Sequence, residues 1–187
     1  MTRYPLASLI GACTASLLLA TTAHAQTAQA TPAAADDTKL HAADQAFVAD
    51  ATQAVSTQRD AARLATSRST DRDVKAFAQR VSDDNAKLSA ALRAASPRGV
   101  DVPNNDPDSA VLDSIKNLRG SDFDKLYIQQ VALADERKAL SVFQAEIAAG
   151  RNEQLKTAAQ KALPTLQAHY AEAQQLAGRK HLSGSAQ

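Results

Sequence analysis

The sequence lacks the residues on which several classes of functional site depend. Its 187 residues include one cysteine, one methionine and no tryptophan, and only 4% are aromatic. A single cysteine can form neither a disulfide framework nor a cysteine-based zinc site. Six glycines and six prolines are too few for a collagen or for an all-β chain dense in turns. The net charge of +1 leaves no basic excess to neutralise phosphates, so we predict no nucleic-acid partner.

Alanine supplies much of the apolar content. It accounts for 42 residues, within a hydrophobic fraction of 44%. Glutamine, lysine, arginine and aspartate are also frequent, and this composition favours helix over strand. The length allows one domain with a modest core. We therefore predict an all-α fold.

Residues 1–25 have the layout of a secretory signal. Arg3 provides a positive start, an apolar run follows over residues 6–20, and Ala23-His24-Ala25 is a small-x-small cleavage site. The run of about 15 residues is shorter than the ~20 needed to span a bilayer. We predict cleavage near Ala25 and a periplasmic or otherwise exported protein. The alternatives are a buried or anchoring helix and a lipid on Cys13.

Cleavage changes the composition of the mature chain. It removes Arg3 and Cys13, which leaves 162 residues (187 less 25) with no cysteine and no net charge. Such a chain can be neither a thiol enzyme nor disulfide-bonded, and it suits an oxidising compartment. We predict no transmembrane segment in it.

The mature chain is predicted to contain a disordered linker (26–38), a helical domain (39–178) and a flexible tail (179–187). Helix one covers about 39–68. Helix two begins after Thr70, which with Asp73 has the spacing of a capping box, and it ends near residue 95. A short helix over about 108–118 follows in the connection, and Gly120 ends it.

Two further helices complete the domain. Ser121 is the predicted cap of helix three, and Gly150 ends that helix in the position favoured just past a helix end. Helix four runs from Asn152 to Gly178 with Pro164 inside it, where we expect a bend. The tight links near residues 69 and 150 each predict a helical hairpin. Placed side by side with both links at one end, the hairpins make an antiparallel four-helix bundle.

Each long helix carries an apolar seam at alternating three- and four-residue spacing. The seam of helix one is Leu40, Asp44, Phe47, Ala51, Ala54, Gln58, Ala61 and Ala65. The seam of helix three is Leu126, Gln129, Leu133, Glu136, Leu140, Phe143 and Ile147. The seam of helix four is Leu155, Ala159, Ala162, Leu166, His169, Ala173 and Leu176. Helix two fits two tracks, either Val74, Phe77, Val81, Asp84, Leu88 and Ala91 or Val74, Ala78, Val81, Asn85, Leu88 and Leu92.

Every seam has a polar residue near its middle: Gln58, Asp84 or Asn85, Glu136 and His169. Their depths along the helices, about 15–25 Å at 1.5 Å per residue, would bring them into one layer. Burying such groups unpaired costs several kcal/mol. One interpretation is a hydrogen-bonded layer that fixes helix register. The second is a site for a single divalent metal at Asp84, Glu136 and His169, although the Glu-x-x-His pair of di-iron bundles is absent. The third is that some of them face solvent.

Other candidates have simpler explanations. We expect His41 and His181 to be solvated, and Tyr127 and Tyr170 to pack at the rim of the domain. The segment 104–108 is rich in asparagine and aspartate but lacks the spacing of a calcium-binding EF-hand, so we interpret it as a turn. No phosphate-binding glycine loop and no Ser-His-Asp pattern is present.

Three segments together are similar to a known family. Residues 74–85 (VKAFAQRVSDDN), 134–140 (ADERKAL) and 163–169 (LPTLQAH) resemble the bacterial domain-of-unknown-function family 4142, as does Phe47-Val48-Ala49. The resemblance covers about residues 44–176. It implies a ferritin-like four-helix bundle, exported to the periplasm or outer membrane, with no settled activity.

The resemblance also bears on the polar positions. It implies a histidine after the Asp-Asp pair and another in the third-helix motif, where this chain has Asn85 and Glu136. His169 matches the family pattern, and so does Pro164. Two of three expected imidazoles are therefore absent.

Three functions follow as hypotheses. The first is a non-catalytic exported bundle that acts through protein or envelope partners, for example in stress tolerance, with no cofactor. The second is a metal-binding or metal-oxidising ferritin-like protein using Asp84, Glu136 and His169. The third is a small-molecule or lipid carrier, which the small alanine-lined seams disfavour. The sequence is also compatible with a homo-oligomer.

Overall fold

The computed structural model of this protein describes residues 40–98 and 106–182. Every described residue belongs to one compact unit. The predicted signal and linker, and the tail from residue 183 onward, lie outside the described residues.

The described residues form helices and no strand, which confirms the predicted all-α class. The first two helices are long, α1 (Ala42–Arg68) and α2 (Arg72–Ala95). The short helix α3 (Ser109–Ile115) follows in the connection. These bounds differ from the predicted ones by a few residues at the ends, where helices fray.

The second half of the domain contains one helical stretch in three parts. These are α4 (Gly120–Leu126), a π-helical segment (Tyr127–Asp135) and α5 (Glu136–Ala149), which together form what we call the composite helix (120–149). The last helix is α6 (Glu153–Arg179). It continues through Pro164, and the bend expected there stays a prediction.

Two of the predicted helix starts were wrong. Asp71, not Thr70, caps α2, because its carboxylate accepts hydrogen bonds from the backbone N–H groups two and three residues on, at 2.9 and 3.1 Å. The composite helix begins at Gly120, so Ser121 lies in its first turn instead of capping it. The predicted cap Asn152 is confirmed, since its side chain accepts two backbone hydrogen bonds at the start of α6.

The long helices pack in the pairs α1–α2, α5–α6, α1–α5 and α2–α6. Asp44, near the start of α1, accepts hydrogen bonds from the backbone N–H groups of Arg151 and Asn152, at 2.8 and 3.1 Å. The turn between α5 and α6 therefore lies beside the start of α1. Lys180, just past α6, pairs with Asp71 at the start of α2. The two tight turns thus lie at opposite ends, and the prediction that they share one end was wrong. The connection 96–119 is long enough to return the chain to the other end before the composite helix begins.

The π-helical segment changes which face of the composite helix is buried. Its i→i+5 hydrogen bonds widen each turn, so a seam written at α-helical spacing loses register there. The predicted seam residues Leu126, Gln129 and Leu133 are only half-buried. Tyr127 and Val131 are buried instead, with 0% and 2% of their surface exposed.

Burial follows the predicted seams of α6 and α1, apart from a half-buried Leu40. On α2 the track through Asn85 is the buried one, whereas Ala91 of the other track is exposed. Apolar side chains form two clusters, one toward each end of the domain. The mid-helix polar residues lie between these clusters along the sequence of every long helix.

The position of Gly150, just past the end of α5, leaves no room for a side chain. Its φ of −60° and ψ of 147° are extended, so the residue does not adopt the left-handed conformation that usually favours glycine at a helix end. A Cβ built there would lie 2.6 Å from the backbone oxygen of Glu146 and would also overlap the Glu146 side chain. Because Glu146 is only 3% exposed, it has little room to move.

The substitution Gly150→Ala should lower the free energy of unfolding by about 1–3 kcal/mol, the usual cost of overpacking a buried site. Urea denaturation measures this change. Without the contact, the same substitution in extended backbone would stabilise the protein by about 0.4–1 kcal/mol. Unchanged or increased stability would therefore contradict the packing described at this turn.

Candidate functional site

The mid-helix polar residues lie together in one layer. Asn85 Nδ2 donates a hydrogen bond to Gln58 Oε1 at 3.1 Å. His169 Nε2 lies 3.2 Å from Asp84 Oδ2, and His169 Nδ1 lies 3.7 Å from Glu136 Oε1. Helices α1, α2, α5 and α6 each contribute to this polar layer, which we define as Gln58, Asp84, Asn85, Glu136 and His169.

The polar layer is closed to solvent except at one member. Four of its residues are at most 2% exposed. The side chain of Asp84 is 25% exposed, and its carboxylate also forms an ion pair of 2.9 Å with the exposed Lys87. Asp84 therefore links the buried histidine to the protein surface.

The pKa values of the layer reflect competition between burial and pairing. Burial alone would lower the pKa of His169, but Glu136 and then Asp84 outweigh it, so the pKa is raised above its ordinary value. Burial raises the pKa of Glu136, and His169 and Gln58 counteract only part of that rise. The hydrogen bond from Lys87 lowers the pKa of Asp84, and His169 adds to this effect. The layer therefore favours a protonated imidazole facing an ionised Asp84.

The comparisons with known proteins identify the domain. The family described as a domain of unknown function, DUF4142, matches residues 29–176. The chain belongs to the DUF4142 family. A comparison with curated proteins gives no match. Among solved structures, this DUF4142 domain is similar to a protein of Streptomyces coelicolor described as a secreted protein DUF305, with a TM-score of 0.63 and 14% identity over 78% of this chain and 96% of that one. At that identity the likeness shows a shared fold alone.

The donor types of Asp84, Glu136 and His169 suit a divalent metal, but their arrangement in this DUF4142 protein does not. The two carboxylates approach opposite nitrogens of the imidazole ring. An ion about 2 Å from one ring nitrogen would point away from the carboxylate at the other. Over residues 40–98 and 106–182, no group of three His, Cys, Asp or Glu side chains is placed to hold a metal ion. The arrangement instead fits a network in which carboxylates flank an imidazolium.

A second buried acidic group escaped the sequence analysis. Glu146 is 3% exposed, and burial first and the charge of Asp44 second raise its pKa to about 7. The two residues meet because the turn between α5 and α6 lies beside the start of α1. With both tight turns assigned to one end, the sequence placed these carboxyls at opposite ends of the domain. Asp44 and Glu146 could have been paired from the sequence only if the two tight turns had been assigned to opposite ends of the domain.

Asp135, the last residue of the π-helical segment, was also missed. It is 8% exposed, and its Oδ2 atom has no hydrogen-bond partner among the described residues. Burial raises its pKa to about 6, against the opposing charge of Lys138. Nearby, Asp108 caps α3 through Oδ1 at 3.0 and 3.3 Å, and the turn predicted over residues 104–108 stays a prediction. Residues 104 and 105 lie outside the described residues.

The remaining candidates differ in outcome. His41 and His181 are exposed, as predicted. Tyr170 is half-buried at the surface, where its hydroxyl accepts a hydrogen bond from Arg137 at 3.0 Å. Tyr127 was predicted at the rim, but it is fully buried because the π-helical segment turns it inward. In the part of the chain that the structure describes, no helix is both long and apolar enough to cross a membrane.

The polar layer should make the stability of the folded protein depend on pH. The folded-state pKa of His169 lies above the ordinary 6.5, so the stability gained from its charge is full below that value and is lost as the pH rises through the folded-state pKa. The substitution His169→Gln should therefore cost most below pH 6.5, on the order of 1–3 kcal/mol, and progressively less at higher pH. Denaturation curves between about pH 6 and pH 9 measure the difference.

The matched control is His181→Gln, which changes an exposed histidine. It should leave stability unchanged across the same range. A cost of His169→Gln that does not vary with pH would show that folding does not raise the pKa of the buried imidazole.

Proposed function

We propose that this DUF4142 protein is an exported, non-catalytic helical protein that acts through protein or envelope partners, and that its polar layer is structural. The observation that carries the proposal is the position of His169. His169 Nε2 lies 3.2 Å from Asp84, and Nδ1, which makes no hydrogen bond among the described residues, lies 3.7 Å from Glu136. Because the residue is only 1% exposed, neither ring nitrogen is open to a substrate. A group so enclosed can hold helices in register but has little access to a reactant.

The fold class proposed is an antiparallel, ferritin-like four-helix bundle with a short extra helix, α3, in the connection between α2 and the composite helix. Its support is the long connection that crosses the domain, a known feature of ferritin-like bundles. The pairwise packing of α1, α2, α5 and α6 adds to that support.

Export is proposed from the N-terminal signal pattern of residues 1–25, with cleavage near Ala25 and a periplasmic location. The similar protein of Streptomyces coelicolor is itself described as secreted, which agrees with export. The proposed mature chain contains no cysteine, which fits an oxidising compartment.

The contact surfaces proposed for partners are two open grooves. One, of about 730 Å³, lies between α2 and α6, and alanine is the most frequent residue in its lining, which also includes Lys87 and Lys161. The other, of about 390 Å³, lies between α1 and α5 beside Phe47 and Val142. Open apolar surface of this kind is typical of regions that contact other molecules.

Metal binding is the second candidate, and it rests on the convergence of Asp84, Glu136 and His169. For these residues to share one ion, the His169 ring and at least one carboxylate would have to leave the positions described. That rearrangement would break the contacts on both ring nitrogens, so we rank this function second.

The test is metal content and oxidation chemistry in the purified protein and its variants. We expect substoichiometric iron, manganese and zinc after purification without chelator. We also expect no turnover of peroxide, no oxidation of Fe²⁺, and no thermal shift with these ions that depends on His169. The variants are His169→Gln and, as the matched control, His41→Gln on the surface. Stoichiometric metal, or Fe²⁺ oxidation, that His169→Gln removes and His41→Gln retains would contradict the structural role.

A further inference from the structure

Two carboxyl groups are buried against each other where the start of α1 meets the turn between α5 and α6. Asp44 of α1 is 1% exposed, and Glu146 of α5 is 3% exposed. Their side chains lie within hydrogen-bonding reach of each other. Neither residue belongs to the polar layer, and the structural role proposed for that layer does not involve them.

Asp44 is suited to be the acceptor of this pair. Its Oδ1 atom accepts hydrogen bonds from the backbone N–H groups of Arg151 and Asn152, at 2.8 and 3.1 Å. An ionised carboxylate accepts hydrogen bonds and donates none. Asp44 therefore attaches the start of α1 to the turn, and its second oxygen can accept from Glu146.

Glu146 differs from its partner in having unpaired oxygens. Both of its carboxylate oxygens are buried and lack a hydrogen-bond donor among the described residues. Leaving a buried charged acceptor unpaired is costly, and two ionised carboxylates in contact would also repel each other. A proton on Glu146 removes both costs, because the resulting O–H group can donate to Asp44.

The other charged groups around Glu146 do not replace this proton. Lys156 of α6 opposes the effects of burial and of the partner carboxylate only in part, and its ammonium pairs with the exposed Glu153 at 3.8 Å. Asp50 of α1 and Lys138 of α5 line the same groove as Glu146, but both are exposed and their charges are opposite. Burial first and the charge of the partner carboxylate second therefore keep the pKa of Glu146 at about 7.

We propose that Asp44 and Glu146 share one proton and act as a pH-sensitive latch between α1 and the turn that joins α5 to α6. With the proton in place, Glu146 donates to Asp44, and Asp44 holds the backbone of Arg151 and Asn152. When the proton leaves, the two carboxylates repel each other. The Glu146 side chain packs against Gly150 and has little room to swing aside, so the turn moves away from α1. The latch does not depend on the partners proposed above.

The pH dependence of stability tests the shared proton. The pKa of Glu146 is raised from 4.5 to about 7, so the stability that its proton contributes is full below 4.5 and is lost as the pH rises through 7. The variant Glu146→Gln keeps a donor for Asp44 but cannot ionise. The unfolding constant of the unchanged protein, divided by that of the variant, should therefore rise on the order of 10- to 100-fold between about pH 5 and pH 8. Urea denaturation at several pH values measures this ratio.

The matched control is Glu153→Gln, which changes an exposed glutamate at the start of α6. The corresponding ratio for this variant should stay constant over the same pH range. A ratio for Glu146→Gln that is equally constant would overturn the shared proton.

NMR of the backbone amides of Arg151 and Asn152 tests the movement of the turn. Their amide proton signals should shift upfield with a midpoint near pH 7, because the hydrogen bonds to Asp44 are lost when the latch opens. In Glu146→Gln the same signals should stay in place over this range. Signals that do not move near pH 7, or that move equally in the variant, would overturn the latch.

Discussion

The imidazole of His169 lies between two carboxylates and ties α6 to both α2 and α5. A charge buried in this way is costly unless it is paired, and removing either partner leaves the other uncompensated. The hydrogen bond between Gln58 and Asn85 connects α1 to α2 in the same layer. Apolar side chains pack on either side of the layer, among them the edge-on ring pair Phe47–Phe143. The role proposed for the polar layer is to set the register of the helices, because a shift along the helix axes would separate its paired groups.

Most of this layer could be predicted from the sequence because α1 and α6 are regular. Their apolar residues repeat at three and four positions, and Gln58 and His169 interrupt that repeat near the middle of each helix. On α2 the sequence left two tracks open. The structure explains the ambiguity, because Asn85 points into the core while the adjacent Asp84 reaches His169 from the edge. Both predicted alternatives therefore describe members of the layer.

Two features could not be found by spacing. The first is the π-helical segment, which has wider turns than an α-helix. An α-helical repeat predicts that Leu126 and Leu133 are buried, but Tyr127 and Asp135 are buried instead. The second is the direction of the composite helix, which depends on a connection that the sequence predicted only as a loop and a short helix. The mid-helix residues still met because a residue near the centre of a helix lies at a similar depth from either end. Residues near the helix ends did not share this tolerance, and the contact between Asp44 and Glu146 was missed for that reason.

The central claim is that a charged imidazole lies between Asp84 and Glu136 in the folded protein. Nitrogen-15 NMR of the side chain of His169 as a function of pH tests it most directly, because the two ring nitrogens report protonation separately. The account predicts that His169 titrates above the ordinary value of 6.5 and that both nitrogens carry protons below that titration. A titration at or below 6.5, or a neutral ring with a single protonated nitrogen throughout, would contradict the account.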